Sequence, residues 1–96
     1  MAEFILTPLA EADLDEIWDY SAEKWGDVQA NRYLTALRTT IRRVASRPSL
    51  GRSCDDVRPG YFKIGAGSHM VFYSKAEGAI IVIRVLHQSM DFDRHL

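Results

Sequence analysis

The hydrophobic positions of the chain fall into six segments with two different periods. A short apolar stretch, Glu3–Thr7, ends at Pro8 and predicts a strand. Two longer segments then repeat apolar residues at intervals of three and four, which is the spacing of one face of a helix. The last third of the chain contains three apolar runs bounded by glycine-containing turns, and these predict three more strands.

The two helices are predicted to form a hairpin. Thr7 is suited to cap the first one, because its hydroxyl can accept a backbone N–H of the first turn, and Pro8 has no N–H to lose there. Gly26 should end this helix, and Asp27 should cap the second. Pro48 should end the second helix. Because one or two residues separate the helices, they should pack antiparallel.

The C-terminal strands are predicted at Tyr61–Ile64, His69–Ser74 and Ala79–Leu86, after a loop over Ser49–Gly60. The last strand is apolar almost throughout, so both of its faces should be covered and it should lie inside the sheet. The resulting order is β-α-α-β-β-β, an α+β fold. The antiparallel helical hairpin should pack on one face of a small, mainly antiparallel sheet, followed by a C-terminal tail.

Length and composition predict one domain over residues 1–96. A hydrophobic content of 47% is ordinary for a globular chain and argues against wholesale disorder. No run approaches the roughly 18 apolar residues of a membrane span, and the N-terminal segment lacks a signal-peptide pattern. A lone cysteine, Cys54, excludes an internal disulfide framework and favours a cytoplasmic location.

The net charge of −1 conceals an uneven distribution. Residues 1–30 carry a net −7, residues 31–66 carry +6, and the remaining residues balance. A basic middle segment can bind phosphates, or it can be neutralised by the acidic helix beside it. We favour neutralisation, because nucleic-acid binders usually have a positive total charge. No direct nucleic-acid binding by the chain alone is therefore expected.

Metal, cofactor and nucleophile sites find little support in the residue pattern. The possible metal ligands are His69, His87, His95, Asp91 and Asp93, and their spacing is not that of a zinc site. The segment Gly65–Gly67 leads into no helix, so it is not a phosphate loop. Ser89 follows His87 but lacks the strand-to-helix turn that presents a nucleophile. We expect no metal and no cofactor.

Metal-independent RNA cleavage is the one catalytic mechanism that the residue types permit, since it needs a base, an acid and cations for the phosphorane. The candidates are Lys63, His69, Arg84 and His87. Residues an even number apart on a strand share a face, so Arg84 should face with Leu86 and His87 with Val85. The simpler interpretation is that Arg84 reaches a carboxylate and His87 ends the strand.

Four segments, in this order, resemble toxins of the ParE branch of the RelE/ParE superfamily. They are "EADLDEIWDYSAEKWG", "RPSLG", "VRPGYFKIGAGSHMVFY" and "IIVIRVLHQSMDFDRHL". The resemblance implies a β-α-α-β-β-β toxin of a type II toxin–antitoxin system, held by a ParD-like antitoxin whose flexible segment wraps the hairpin and sheet. It also implies that the free toxin inhibits or poisons DNA gyrase and so blocks replication, without catalysis of its own.

The RelE branch, which cuts messenger RNA in the ribosome, is the alternative. The chain has His69 where that branch places an arginine, and His87 is the nearest substitute for its C-terminal tyrosine. An inactivated toxin that acts only as a co-repressor is a further alternative.

The resemblance also implies two binding surfaces. The predicted antitoxin-binding residues are Trp18, Trp25, Tyr33, Leu37, Arg38 and Arg42. They combine an apolar groove for an amphipathic segment with arginines for its acidic residues. The predicted target surface consists of Arg84, His87, Met90, Phe92 and Arg94.

Overall fold

The structure is a computed structural model that describes residues 3–96. Its strands are β1 (Glu3–Leu6), β2 (Arg52–Ser53), β3 (Tyr61–Ala66), β4 (His69–Ala76) and β5 (Ala79–His87). Its helices are α1 (Pro8–Trp25), α2 (Asp27–Ser46), a short 3-10 helix (Pro48–Leu50) and α3 (Phe92–His95). The predicted β-α-α-β-β-β order and α+β class are confirmed. The additions are the two-residue strand β2 inside the predicted loop and the short helix α3 in the tail.

The sheet has the strand order β1-β5-β4-β3-β2. Strand β1 runs parallel to β5, and every other pair is antiparallel. Strand β5 lies inside the sheet, as its apolar sequence predicted. Because β1 is short, its pairing with β5 ends where Leu6 meets Val82. Beyond Val82, β5 has no strand on that side, and helix α1 lies there instead.

The caps of the hairpin follow the sequence with one exception. Thr7 Oγ1 accepts the Ala10 N–H at 3.1 Å, and Pro8 is the first residue of α1. Asp27, predicted as the cap of α2, is instead its first helical residue, and Gly26 is the cap. Gly26 has a φ of 89°, a conformation that glycine adopts without strain and that reverses the chain between the helices. None of the helices within residues 3–96 is long and apolar enough to cross a membrane.

Both faces of the sheet are covered. The main core lies between the helices and the sheet and includes Leu14, Leu37, Ile41, Val71, Tyr73, Ile80, Val82 and Val85. On the opposite face, a second cluster of Cys54, Phe72 and Leu86 packs against Phe92 and Leu96 of the tail. The predicted polar tail therefore closes a second, smaller core.

Strand β3 runs to Ala66, beyond its predicted end at Ile64, so the turn before β4 is only Gly67 and Ser68. Strand β4 begins at His69 as predicted and runs on to Ala76. Gly67 has a φ of 59°, and a Cβ there would lie 2.7 Å from Tyr33 Oη. The position therefore requires glycine both for its backbone conformation and for the approach of α2.

A bulge in β5 sets the direction of its last side chains. Phe72 pairs with Arg84 and Tyr73 with Val82, which leaves Ile83 as the extra residue. After the bulge, Arg84 lies on the face of Phe72, whereas His87 pairs with His69 on the helix side. The predicted opposite orientation of Arg84 and His87 is confirmed.

Candidate functional site

A buried carboxylate on α1 occupies the edge of β5 that β1 leaves uncovered. Asp13 accepts hydrogen bonds from Arg84 Nε and Nη2, each at 2.7 Å, and from the Val85 N–H at 3.0 Å. It therefore satisfies a backbone donor that a neighbouring strand would otherwise satisfy. The hydrogen bond to Asp13 raises the pKa of Arg84. The prediction that Arg84 reaches a carboxylate is confirmed.

Arg84 also contacts the tail. Its Nη1 donates to the His95 carbonyl at 3.2 Å. Helix α3 is held from the other side by Phe92, whose ring meets Phe72 edge to face at a centroid distance of 4.8 Å. Two of the predicted target-surface residues, Arg84 and Phe92, thus hold the tail in place.

The other three residues of the predicted target surface are open to solvent. His87 and Arg94 are exposed, and Met90 is 36% exposed, which is a large fraction for an apolar side chain. His87 and Met90 line a cavity of about 440 Å³ between α1, the end of β5 and the tail.

Two histidines pair across β4 and β5 on the helix side of the sheet. The ring centroids of His69 and His87 lie 5.3 Å apart. Tyr33 Oη accepts the Ser68 N–H at 2.9 Å and lies 2.6 Å from His69 Nδ1, to which it can donate its own proton. Burial lowers the pKa of His69, and the nearby His87 lowers it further. His69 is therefore suited to be a neutral imidazole whose Nδ1 accepts a hydrogen bond from the Tyr33 hydroxyl.

His87 ends β5, as predicted, and its contacts close a turn. Its Nδ1 lies 2.7 Å from Ser89 Oγ and 3.2 Å from the Ser89 backbone nitrogen. The Gln88 side chain donates to the carbonyls of Gly67 and His69, which joins the two strand ends. The His87–Ser89 contact is a solvent-exposed turn contact.

The nuclease candidates come together only in part. His69, Arg84 and His87 line the same cavity of about 440 Å³. Lys63 pairs with Phe72 on the opposite face and lines a separate cavity with Arg52 and Met70. The Arg84 guanidinium is already bound to a carboxylate, so no unpaired cation of this set faces the two histidines.

Two grooves contain four of the six predicted antitoxin-binding residues; the first lies between the hairpin and the strand ends at His69 and His87, and the second lies on the hairpin itself. Trp25, 61% exposed, and Tyr33 line a mostly apolar cavity of about 300 Å³ that also includes Tyr20. Trp18 and Arg38 line a second cavity of about 350 Å³ between the helices.

The remaining two predicted antitoxin-binding residues differ in exposure. Arg42 is exposed on α2. Leu37 is 1% exposed within the main core, so it does not line the surface. Its place in the apolar stripe of α2 already indicated burial.

The expected neutralisation of the basic segment by the acidic helix does not take the form of ion pairs between the helices. The one ion pair found within residues 3–96 joins Asp13 to Arg84 of β5. Arg38, Arg42 and Arg43 are exposed along α2. The basic side of the hairpin is therefore available to an acidic partner.

The part of the chain that the structure describes holds no group of three or more His, Cys, Asp or Glu side chains placed to bind a metal ion. Cys54 is fully buried in the second cluster, and burial raises the pKa of its thiol. Its role is therefore that of a packed apolar side chain.

Sequence reasoning missed Asp13 and the bridging role of Tyr33. One signal for Asp13 was available, because it lies in register with Ala10, Leu14 and Ile17 on the buried stripe of α1. A charged residue at such a position needs a partner inside the protein. The role of Tyr33 follows from the approach of α2 to the β3–β4 turn, which no local pattern encodes.

Comparison with known proteins identifies the family. Residues 4–92 match the family described as ParE toxin of type II toxin-antitoxin system, parDE. Toxin ParE1 of Mycobacterium tuberculosis (strain H37Rv) is 51% identical over 96 residues, covering 99% of this chain and 98% of that protein. Toxin ParE1 of Caulobacter vibrioides is 43% identical over 96 residues, covering 100% and 99%.

A more distant relative and a solved structure also match the chain. Toxin ParE of Escherichia coli is 33% identical over 92 residues, covering 95% of this chain and 89% of that protein. A solved structure of a chromosomal ParDE TA system from P. aeruginosa matches with a TM-score of 0.78 and 18% identity, covering 91% of this chain and 96% of its own; it supports the fold. The chain belongs to the ParE toxin family of type II toxin–antitoxin systems.

Proposed function

We propose that the protein acts without catalysis, by binding DNA gyrase in the cytoplasm and blocking replication, and that a ParD-like antitoxin neutralises it. The observation that carries the non-catalytic part is the disposition of the nuclease candidates. Lys63 lies on the other face of the sheet from the histidines, and Arg84 is held by Asp13. The exposed residues at the end of β5 and in the tail form a contact surface that needs no catalytic group.

The ribonuclease alternative requires a cation near the developing phosphorane. Lys63 lies on the other face of the sheet, and the Arg84 guanidinium is bound to Asp13. To serve there, the Arg84 guanidinium would leave two hydrogen bonds of 2.7 Å and expose a buried carboxylate without its partner. His69 is also engaged by Tyr33. These contacts favour a structural role for the set over RNA cleavage.

We infer that the antitoxin binds across the helical hairpin. Trp18 and Trp25 offer large aromatic contacts beside the two grooves, and such residues commonly carry most of the binding energy at an interface. Arg38 and Arg42 lie on the same hairpin and suit acidic residues of the partner. An amphipathic helix with an acidic side fits this combination.

The proposed target surface consists of His87, Met90 and Arg94. Deleting the tail would not test it cleanly, because Phe92 and Leu96 belong to the second core. The double substitution Met90→Ala with Arg94→Ala removes exposed groups and leaves that packing in place.

The proposal is tested by inducing the protein in bacteria and following two responses in one culture: a DNA-damage reporter and the mapping of new messenger RNA 5′ ends. We expect growth arrest with activation of the reporter and no new transcript ends. The Met90→Ala, Arg94→Ala protein, produced to the same level, should leave growth and the reporter unchanged. Transcript cleavage without DNA damage would instead establish the ribonuclease reading.

A further inference from the structure

We propose that Arg84, held by Asp13, is a positioning residue that fixes helix α3 for target binding and makes no direct contact with the target. This inference rests on the proposed function, in which the tail is part of the target surface. It assigns to the Asp13–Arg84 pair a role in toxicity as well as in the fold.

The first step is the geometry of the guanidinium. Arg84 directs Nε and Nη2 at the Asp13 carboxylate and Nη1 at the His95 carbonyl, so one rigid group joins α1, β5 and α3. Its side chain is only 17% exposed. The planar fork of arginine can serve two directions at once, whereas the single ammonium of lysine cannot hold the same arrangement.

The second step is that helix α3 is not stable without contacts to the rest of the protein. It has four residues, and an isolated helix of this length is unstable in water. Its attachments are the packing of Phe92 on Phe72, the burial of Leu96 in the second cluster, and the hydrogen bond from Arg84 to His95. Phe92 fixes the beginning of the helix and Arg84 fixes its end. The direction of the exposed Arg94 side chain between them depends on both.

The third step separates positioning from contact. Asp13 is 7% exposed and its carboxylate oxygens are bound by Arg84 and the Val85 N–H, so it does not offer a surface to a protein partner. If the pair acts by positioning, changes at Asp13 should weaken target binding although Asp13 touches no target. If Arg84 acted by direct contact, removal of its charge would weaken binding while the tail stayed docked.

The test uses a variant designed to keep the fold. Asp13→Asn combined with Arg84→Met leaves no unpaired buried charge, and the asparagine amide oxygen can still accept the Val85 N–H. The methionine keeps much of the packing of the arginine stem. The contact control is Arg94→Ala, which leaves the Arg84–His95 hydrogen bond intact.

Three quantities are measured on each full-length protein: hydrogen exchange of the Arg94 and Leu96 amides, inhibition of purified gyrase, and affinity for the antitoxin. The double variant should exchange these amides faster by on the order of tenfold, because a hydrogen bond from a charged donor contributes about that factor. Its gyrase inhibition should weaken as the docked tail population falls, with antitoxin affinity unchanged. Arg94→Ala should weaken inhibition without changing exchange at Leu96.

Two outcomes would overturn the inference: a tail that stays protected in the double variant, whether or not inhibition is lost, or a released tail with undiminished inhibition. Arg84→Lys gives an independent check, because it keeps the charge beside Asp13 but should release the tail as the double variant does. If the wild-type protein does not inhibit gyrase, the proposed function fails. The exchange measurements still decide whether Arg84 holds the tail, and growth arrest in cells then replaces gyrase inhibition as the readout.

Discussion

Replacement of Asp13 by alanine should destabilise the protein more than almost any other single change to a charged residue. The carboxylate accepts three hydrogen bonds, two from Arg84 and one from the Val85 N–H. Alanine leaves the guanidinium without its carboxylate partner, with only the His95 carbonyl as an acceptor, in a site where the Asp13 and Arg84 side chains are 9% and 17% exposed. Nothing else in the hydrogen-bond pattern of this edge replaces the lost acceptor.

The magnitude follows from two losses. Removing one partner of a buried ion pair costs about 3–5 kcal/mol, and the partial exposure of Arg84 to water places this site at the lower end of that range. The buried Val85 N–H, left without an acceptor, accounts for about 1 kcal/mol or more of that loss. We therefore expect the free energy of unfolding to fall by about 3 kcal/mol.

Urea unfolding at neutral pH measures the effect, since a lower midpoint with an unchanged slope reports stability alone. Asp13→Asn should lose about half as much, because its amide oxygen still accepts one or two of the three hydrogen bonds. Glu16→Ala, an exposed change one turn along α1, should alter stability by no more than about 0.5 kcal/mol. A loss below about 1 kcal/mol for Asp13→Ala would refute the assigned role of the pair.

Three further predictions follow from other contacts. Tyr73→Phe should cost about 2 kcal/mol in urea unfolding, because the Pro48 carbonyl and the Gly51 N–H both lose the Tyr73 hydroxyl; a wild-type midpoint would contradict this. Trp25→Ala should weaken antitoxin binding in calorimetry by about 2 kcal/mol, whereas Val28→Ala, an exposed change outside the groove, should not; equal affinities would remove Trp25 from the interface. The pKa of His69 is lower in the folded than in the unfolded protein, so the unfolded state binds more protons below pH of about 6.5 and stability should fall on acidification. His69→Gln should flatten that dependence, and an unchanged pH profile would argue against the burial of a neutral imidazole.

The elements of this fold could be predicted because each segment carries its own local signal. Thr7 and Pro8 mark the start of α1 through backbone chemistry that acts within one turn. The apolar run of β5 indicated a strand covered on both faces, and the structure places it between β1 and β4. Because side chains alternate between the two faces along a strand, the sequence was enough to predict that Arg84 and His87 lie on opposite faces of the sheet.

The site could be predicted only in part, because its contacts join distant parts of the chain. Asp13 and Arg84 are 71 residues apart, and their contact depends on β1 ending before β5 does. The bulge at Ile83 and the cross-strand pairing of His69 with His87 follow from the register of β4 on β5. Leu37 was assigned to a surface although its spacing placed it on the buried stripe, which shows that a residue type suited to an interface does not outweigh its position.

Addition of the purified protein to DNA gyrase with relaxed plasmid and ATP tests the central claim most directly. Supercoiling is followed on gels, and linear DNA is scored after protease treatment. We predict that the protein inhibits supercoiling or traps cleaved plasmid, that its antitoxin abolishes the effect, and that the Met90→Ala, Arg94→Ala protein is inactive while still binding the antitoxin. Unimpaired supercoiling in the presence of a protein that binds its antitoxin and arrests growth would contradict the account.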